Sequence, residues 1–397
     1  MEWAAALSTK RAVEKVVADL VQQLQARLGA GATDVGFLFV HPSYFAAMED
    51  IVEALRAALG VRQLVGCSGA GIIGLDQEIE EEPAISMLVG RLPNVTVTGF
   101  ALQQDQLEEG PTDAAYWHYQ LDVLPEPTPM MVLFSDPFTV HPIELVNALA
   151  AAYPGAPLVG GLVSGGRQPG QVRLILNGEI SDSGAVGVAL QGPVGMRTIV
   201  SQGCRPIGEP LIITRAEKNV IHELAGRPPI EVLQELLPRL PAADQQLARK
   251  ALFLGRVINE YKEEYERGDF LIRNLIGRDP SSGALAVGDV VRAGQTVQFH
   301  VRDGRSAAED LKIALEACPD EPPVEAALLF SCLGRGEGMY GEPHHDTRML
   351  QRRFGPVPTA GFFCSGEIGP VGGHPYVHGF TSVLGLFTAS KPPTRAV

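Results

Sequence analysis

Only five cysteines occur in the 397 residues, an odd and widely spaced set (Cys67, Cys204, Cys318, Cys332 and Cys364) without a CxxC pair. That pattern excludes a disulfide framework and a zinc knuckle, and makes a reducing cytoplasm the expected compartment. No apolar run approaches the roughly 18 residues of a membrane-spanning helix. The N-terminus, MEWAAALSTKRAVEKVVADLVQQLQARL, carries Glu2 at once and lacks the basic and uninterrupted apolar regions of an export signal, so an amphipathic helix is expected there. Basic charge is in deficit, 32 Lys and Arg against 46 Asp and Glu, for a net charge of -14. This argues against nucleic acid or an anionic membrane as the main partner. Neither GxSxG nor SxxK is present, and no His or Asp is placed by local spacing to activate a serine or cysteine.

What is present is apolar and repetitive. With 45% apolar and 20% charged residues the chain is globular, and its length favours two domains. Three stretches follow one plan: an apolar strand, a helix, a returning strand and a Gly-rich turn containing Ser-Gly. They run from VGFLFV to VGCSGAGIIG (Val35 to Gly74), from MMVLF to VGGLVSGG (Met130 to Gly166) and from AALLF to AGFFCSGEIG (Ala326 to Gly369). The helices open by different devices, Pro42-Ser43, Pro142 and an expected N-cap at Asp346, and the first and third close at Gly60 and Gly355. Strand-like stretches follow the Gly turns with no room for another crossover helix, so antiparallel pairing must be mixed in.

The expected fold is α/β, a two-domain layered arrangement of mixed sheets flanked by helices, built from these repeated units. The division is placed near residue 210, giving domains 1–210 and 211–397. Beyond it a strand pair leads to a Pro-started helix, a polar helical stretch spans Ala242 to Gly268, and three strands run from FLIRNLIG to QFHVRD. Ser306 with Glu309 reads as a capping box for the helix ending near Cys318.

Two GxGxxG matches, Gly69/Gly71/Gly74 and Gly336/Gly338/Gly341, invite a dinucleotide reading. The acidic LDQEIEEEP after Gly74 would repel a pyrophosphate, so no nucleotide cofactor is expected. Tight glycine turns otherwise let packed strands reverse, or present backbone N–H groups to an anion. Cysteine is not constant among the turns: Cys67-Ser68 and Cys364-Ser365 read as equivalent, with Val163-Ser164 in the middle copy. That favours packing over chemistry. Cys332, ending a strand in FSCLGRG, is the thiol expected to be exposed, with Arg335 near it. The histidines (His344, His345, His374, His378) lack a third ligand at metal-site spacing, so no metal is expected.

The segments FLIRNLIG, GQTVQFHVRD, FSCLGRGEGMYG and GFFCSGEIGPVGG, with the following HGFTSVLGLF, resemble the C-terminal half of the FIST family. GCSGAGIIG and GGLVSGG resemble its N-terminal half, and together the likeness covers roughly Ala32 to Phe387. The family is named for F-box and intracellular signal-transduction proteins. The resemblance implies a sensory module proposed to bind small ligands such as amino acids, with no established enzymatic activity. It is a stand-alone form in this sequence, with no F-box, kinase or methyl-accepting segment.

Charged residues in apolar or Gly-rich surroundings give the candidate site. Arg273, Arg302 and Arg335 each pair with a protein carboxylate such as Asp303 or Glu367, or capture a ligand carboxylate bidentately. The expected small-ligand pocket, for an amino acid or related metabolite, is lined by the Gly turns and held by Arg335 and Arg273. Glu367 is positioned to receive an ammonium, and Asn274, Cys332, Cys364, Ser365, Cys67 and Ser68 are further contacts. The alternatives are an enzyme dependent on Cys332 or Cys364, and a scaffold or adaptor that binds a protein signalling partner through its surface.

Overall fold

Three parallel strand pairs, each bridged by helix, set the framework. Thr33–Val40 pairs with Val61–Ser68, Met130–Ser135 with Leu158–Leu162, and Val324–Cys332 with Thr359–Cys364. The helix Met48–Leu59 ends at Gly60, which adopts the left-handed conformation (φ 58°) that a Cβ disfavours. Pro142–Ala152 starts on proline, whose fixed φ suits the first turn. His345–Phe354 closes at Gly355. The computed structural model describes residues 1–110 and 112–389. Mixed sheets flanked by helices make the α/β class that the sequence implies.

One strand order recurs in three six-stranded sheets. Each parallel pair is extended by an antiparallel strand beside its first member: Ile85–Arg91, Ala185–Gln191 and Thr381–Ala389 respectively. Beyond that neighbour lies an edge strand, Glu2–Ser8, Thr96–Leu102 or Val194–Gln202. The other side carries a short hairpin, and the hairpins are exchanged. Ile72–Gly74 and Gln77–Ile79, which follow the first Gly turn, join the third sheet. Leu174–Leu176 and Glu179–Ser181, after the second turn, join the first sheet; Gly366–Val371 and His374–His378, after the third, join the second. Each sheet thus contributes backbone hydrogen bonds to a neighbour's edge.

Alternation puts equivalent residues of the three central strands at one place. The rings of Phe39, Phe134 and Phe330 are mutually 5.4, 6.3 and 5.9 Å apart, and Phe362 packs against all three at 5.3 to 5.9 Å. Each such pair is worth about 0.5–1.5 kcal/mol beyond area burial. Immediately before each phenylalanine stands a leucine, and opposite each leucine a glycine: Leu38 and Gly66, Leu133 and Gly160, Leu329 and Gly361. A Cβ on these glycines would lie 2.1, 1.9 and 1.8 Å from the leucine carbonyl oxygen.

The described residues divide into two compact units, one of residues 1–110, 112–200, 311–377 and 381–389, the other Ser201–Asp310 with His378–Phe380. Position 210, where a division was expected, lies inside the strand Cys204–Glu217 of the second unit. That unit holds a closed six-stranded barrel in the order Cys204–Glu217, Val220–Leu224, Leu285–Val287, Phe270–Arg278, Leu252–Val257, Thr296–Arg302. Leu254, Val287, Val297 and Phe299 are in its core.

Four local expectations are corrected. Glu2–Ser8 is a strand, and the amphipathic helix begins only at Val13. The polar stretch after Ala242 is helical to Lys250 and then becomes the strand Leu252–Val257, whose Leu254 is buried in the barrel core. Ser306 donates to Asp303, and it is Asp303 that accepts from the Arg305 amide at the start of that helix. Asp346 lies within its helix, its carboxylate engaged elsewhere.

The glycine-to-carbonyl contact makes a sharp prediction. Gly361→Ala should lower unfolding free energy by more than about 2 kcal/mol, since backbone must move. Gly338→Ala, with open space around it, should change it by less than about 0.5 kcal/mol. Urea unfolding followed by circular dichroism compares the two.

Candidate functional site

All three Gly-rich turns meet in the first unit. Ser164 of the middle turn is completely buried; its hydroxyl accepts from the Ala70 amide of the first turn and donates to the Phe363 carbonyl of the third. Ser68 donates to the Ser164 carbonyl and accepts from the Arg173 amide. Gly69 and Gly71 pass so close to Phe362 and Phe363 that a Cβ would lie 2.8 and 2.6 Å from them. These glycines serve close packing. Ser164, the hub of the junction, was not among the expected site residues, although the recurring Ser-Gly was its signal.

Register also revises the alignment of the turns. Counted from the glycines opposite leucine, Cys67 corresponds to Gly161 and Phe362, whereas Cys364 corresponds to Gly69 and Val163. Cys67 and Cys364 are therefore two positions out of step. Both sulfurs still face the shared core, and Gly161 leaves room for the Cys364 sulfur.

Beside this junction, after the strand Val324–Cys332, lies a buried charge cluster. The turn after Val324–Cys332 is closed by the Arg335 amide donating to the Cys332 carbonyl. This folds the Arg335 guanidinium inward, where Nε and Nη2 reach the two oxygens of Asp346 at 3.1 and 3.3 Å. Both side chains are inaccessible, at 0% and 1% exposure. Asp346 also lies 3.0 Å from His345 Nδ1 and accepts from Ser331 at 3.4 Å. Arg335 donates to the Tyr340 hydroxyl as well, and the Tyr340 ring stacks on His345 at 3.7 Å. Burial opposes the Asp346 charge, yet the Arg335 guanidinium and the His345 contact hold this carboxyl well below the usual carboxylate range. Burial and Asp346 push the Tyr340 phenol well up.

Two more acids complete the cluster. Glu78, reached from the hairpin after the first turn, accepts from the Thr347 amide at 2.7 Å and from its hydroxyl. Burial, then the Asp346 charge, push Glu78 up to about 8. Glu367 is fully buried; Oε2 accepts from the Thr381 amide at 3.1 Å, and no hydrogen-bond partner is found for Oε1. Burial raises its pKa well above the usual value, with the Cys332 thiol and Arg335 pulling the other way. Burial likewise raises the Cys364 thiol, with Glu367, Cys67 and Cys332 adding to it.

The structure therefore gathers Arg335, Cys332, Cys364 and Glu367, with Cys67 near Cys364. Cys332, expected to be exposed, is only 7% accessible, whereas Leu333 next to it in sequence is exposed. Ser365 is exposed, while Ser68 is buried in the turn junction. Arg273 belongs to the barrel unit, where burial depresses its pKa and Asp289 accepts from Nε at 2.9 Å; Asn274 beside it is exposed. Arg256 shares the same Asp289 carboxylate. Glu78, Tyr340 and Asp346 were missed. Glu78 sat in an acidic run that reads as solvated surface, and Asp346 read as a helix cap. Among the described residues no helix is long and apolar enough to cross a membrane, and no group of three His, Cys, Asp or Glu is placed to hold a metal.

Removing one partner of the buried pair leaves the other charge uncompensated. Arg335→Met should cost about 3–5 kcal/mol of stability. Adding Asp346→Asn should recover at least about 1 kcal/mol of that loss, read from urea unfolding of both single variants and the pair. Glu78 sets a pH dependence of definite sign. Its folded pKa is raised, so folding retains a proton that the unfolded chain loses above about pH 4.5, and the stability it contributes declines as pH rises toward about 8. Glu78→Gln should flatten that decline relative to wild type in unfolding curves taken between pH 5 and 8.

The FIST N domain family matches residues 34–227 and the FIST C domain family matches residues 229–370. An uncharacterized protein of Mycobacterium tuberculosis is 38% identical over 384 residues, covering 96% of this chain and 98% of the relative. An uncharacterized protein of Mycobacterium bovis is 37% identical over 369 residues, covering 92% and 93%. Among solved structures, cyanuric acid hydrolase from A. caulinodans aligns over 98% of this chain and 99% of its own, at 10% identity and a TM-score of 0.34, a likeness that assigns no function. This chain belongs to the FIST family, whose domains are associated with signal transduction and sensing.

Proposed function

We propose that this protein is a small-ligand sensor, without catalysis of its own, whose ligand donates a hydrogen bond to Glu367. The observation that carries the reading is the unpartnered Oε1 of a wholly buried carboxyl. Leaving such a group unsatisfied costs about 1–3 kcal/mol, and a ligand N–H or ammonium removes that penalty. An amino acid or related small metabolite has the right size and donor. Arg335, already engaged by Asp346, acts as a fixed charge close to the ligand; Cys332 and Cys364 neighbour Glu367, and Ser365 is exposed nearby in sequence. Ionic hydrogen bonds of about 1.5–3 kcal/mol each suffice for the micromolar to millimolar affinity of a metabolite sensor. The signal would pass to a protein partner at the surface beside the cluster, where Leu333 and Ser365 are exposed.

A panel of amino acids and small carboxylates in a thermal-shift assay tests this. At least one compound should raise the melting temperature in a saturable way, and Glu367→Gln should weaken its binding more than tenfold, about 1.4 kcal/mol, while the fold is retained. A flat response across the panel, or equal affinity in the variant, would overturn the assignment.

A further inference from the structure

We propose that Cys332 and Cys364 form a peroxide-reactive dithiol that closes to a disulfide. The two residues are register partners at the ends of adjacent parallel strands. Each stands two positions beyond a phenylalanine of the central cluster, Phe330 or Phe362, so alternation places both thiols on the core-facing side of one sheet. Neighbouring strands lie about 4.7–4.9 Å apart. That falls within the roughly 4.4–6.8 Å Cα separation over which a disulfide closes.

The surroundings divide the labour between the two sulfurs. Cys332 is 7% accessible and Cys364 wholly buried, so a water-sized oxidant meets Cys332 first. The Arg335 guanidinium interacts with the Cys332 sulfur, and a nearby fixed cation favours the thiolate. The Glu367 carboxyl lies against Cys332 and close to Cys364. Burial raises the proton affinity of Glu367, which suits it to pass protons between a thiol and a leaving oxygen. An attacking sulfur near a cation with a second cysteine beside it is the arrangement of peroxide-sensing thiols.

The oxidant is hydrogen peroxide or a small hydroperoxide. The Cys332 sulfur attacks one peroxide oxygen and the O–O bond breaks. Glu367 gives its proton to the departing hydroxide, which leaves as water, and regains one from the Cys332 thiol. Cys332 is now a sulfenic acid. The Cys364 sulfur then attacks the Cys332 sulfur, the S–O bond breaks and the S–S bond forms. The Cys364 proton passes through Glu367 to the departing hydroxide. Two thiols and one hydrogen peroxide become one disulfide and two waters. This reading does not depend on a ligand at Glu367.

The test uses the reduced full-length protein treated with stoichiometric hydrogen peroxide, denatured in N-ethylmaleimide and mapped by non-reducing peptide mass spectrometry. The expected result is a loss of two alkylatable thiols from the five in the chain and a cross-linked peptide joining Cys332 to Cys364. Cys364→Ser should stop at a Cys332 sulfenic acid, trapped by dimedone, and Cys332→Ser should abolish the thiol loss. Retention of all five thiols in wild type, a cross-link from Cys364 to Cys67, or undiminished thiol loss in Cys332→Ser would each overturn the proposal. The wild-type measurement decides the matter even where a variant folds poorly.

Discussion

Three leucine carbonyls occupy the space where a side chain on the facing strand would begin. At Gly66, Gly160 and Gly361 a Cβ would point along the strand-to-strand direction and strike the oxygen of Leu38, Leu133 or Leu329. Only glycine permits that approach, and much else follows from it. It fixes the register of each parallel pair, and a one-residue slip would turn every core side chain outward. With register fixed, the next residue in each central strand is the phenylalanine that meets its two counterparts.

The same register decides where chemistry is possible. The strands that deliver Phe330 and Phe362 to the core deliver Cys332 and Cys364 two residues later, at the sheet end where the Gly turns pack together. Nearby, the turn at Arg335 drops a cation into a space from which water is excluded. An unpaired guanidinium there would be expensive, and Asp346, Tyr340 and Ser331 converge on it or on its partner. Acidic groups outnumber basic ones there: Glu78 and Glu367 share the region, and burial raises the proton affinity of each. Burial raises the proton affinity of Glu367 while Arg335 lowers that of Asp346, so carboxyls of opposite tendency share one buried region.

Much of the fold was legible because it is written locally. The apolar strands, the proline and glycine helix boundaries and the Ser-Gly turns announce themselves within a few residues of sequence. The initial strand Glu2–Ser8 did not, since its small residues continue smoothly into a helical pattern; it is a strand because Ile85–Arg91 offers it an edge. Arg335, Glu367, Cys332 and Cys364 stood out as charges and thiols in apolar or Gly-rich segments, where such groups need a reason. Glu78 offered no such contrast among its acidic neighbours.

By itself, then, the sequence determined the α/β class, the family, the turns and four members of the buried cluster, because those depend on residue type and short-range spacing. Only the tertiary structure decided that hairpins are exchanged among sheets, that Asp346 answers Arg335 in place of capping a helix, and that Arg273 is held by Asp289 within the barrel. These are choices among partners distant along the chain, and no local preference distinguishes one buried carboxylate from another. Register settled the cysteines too: Cys67 and Cys364 look equivalent beside their serines, yet the glycines facing leucine set them two positions apart.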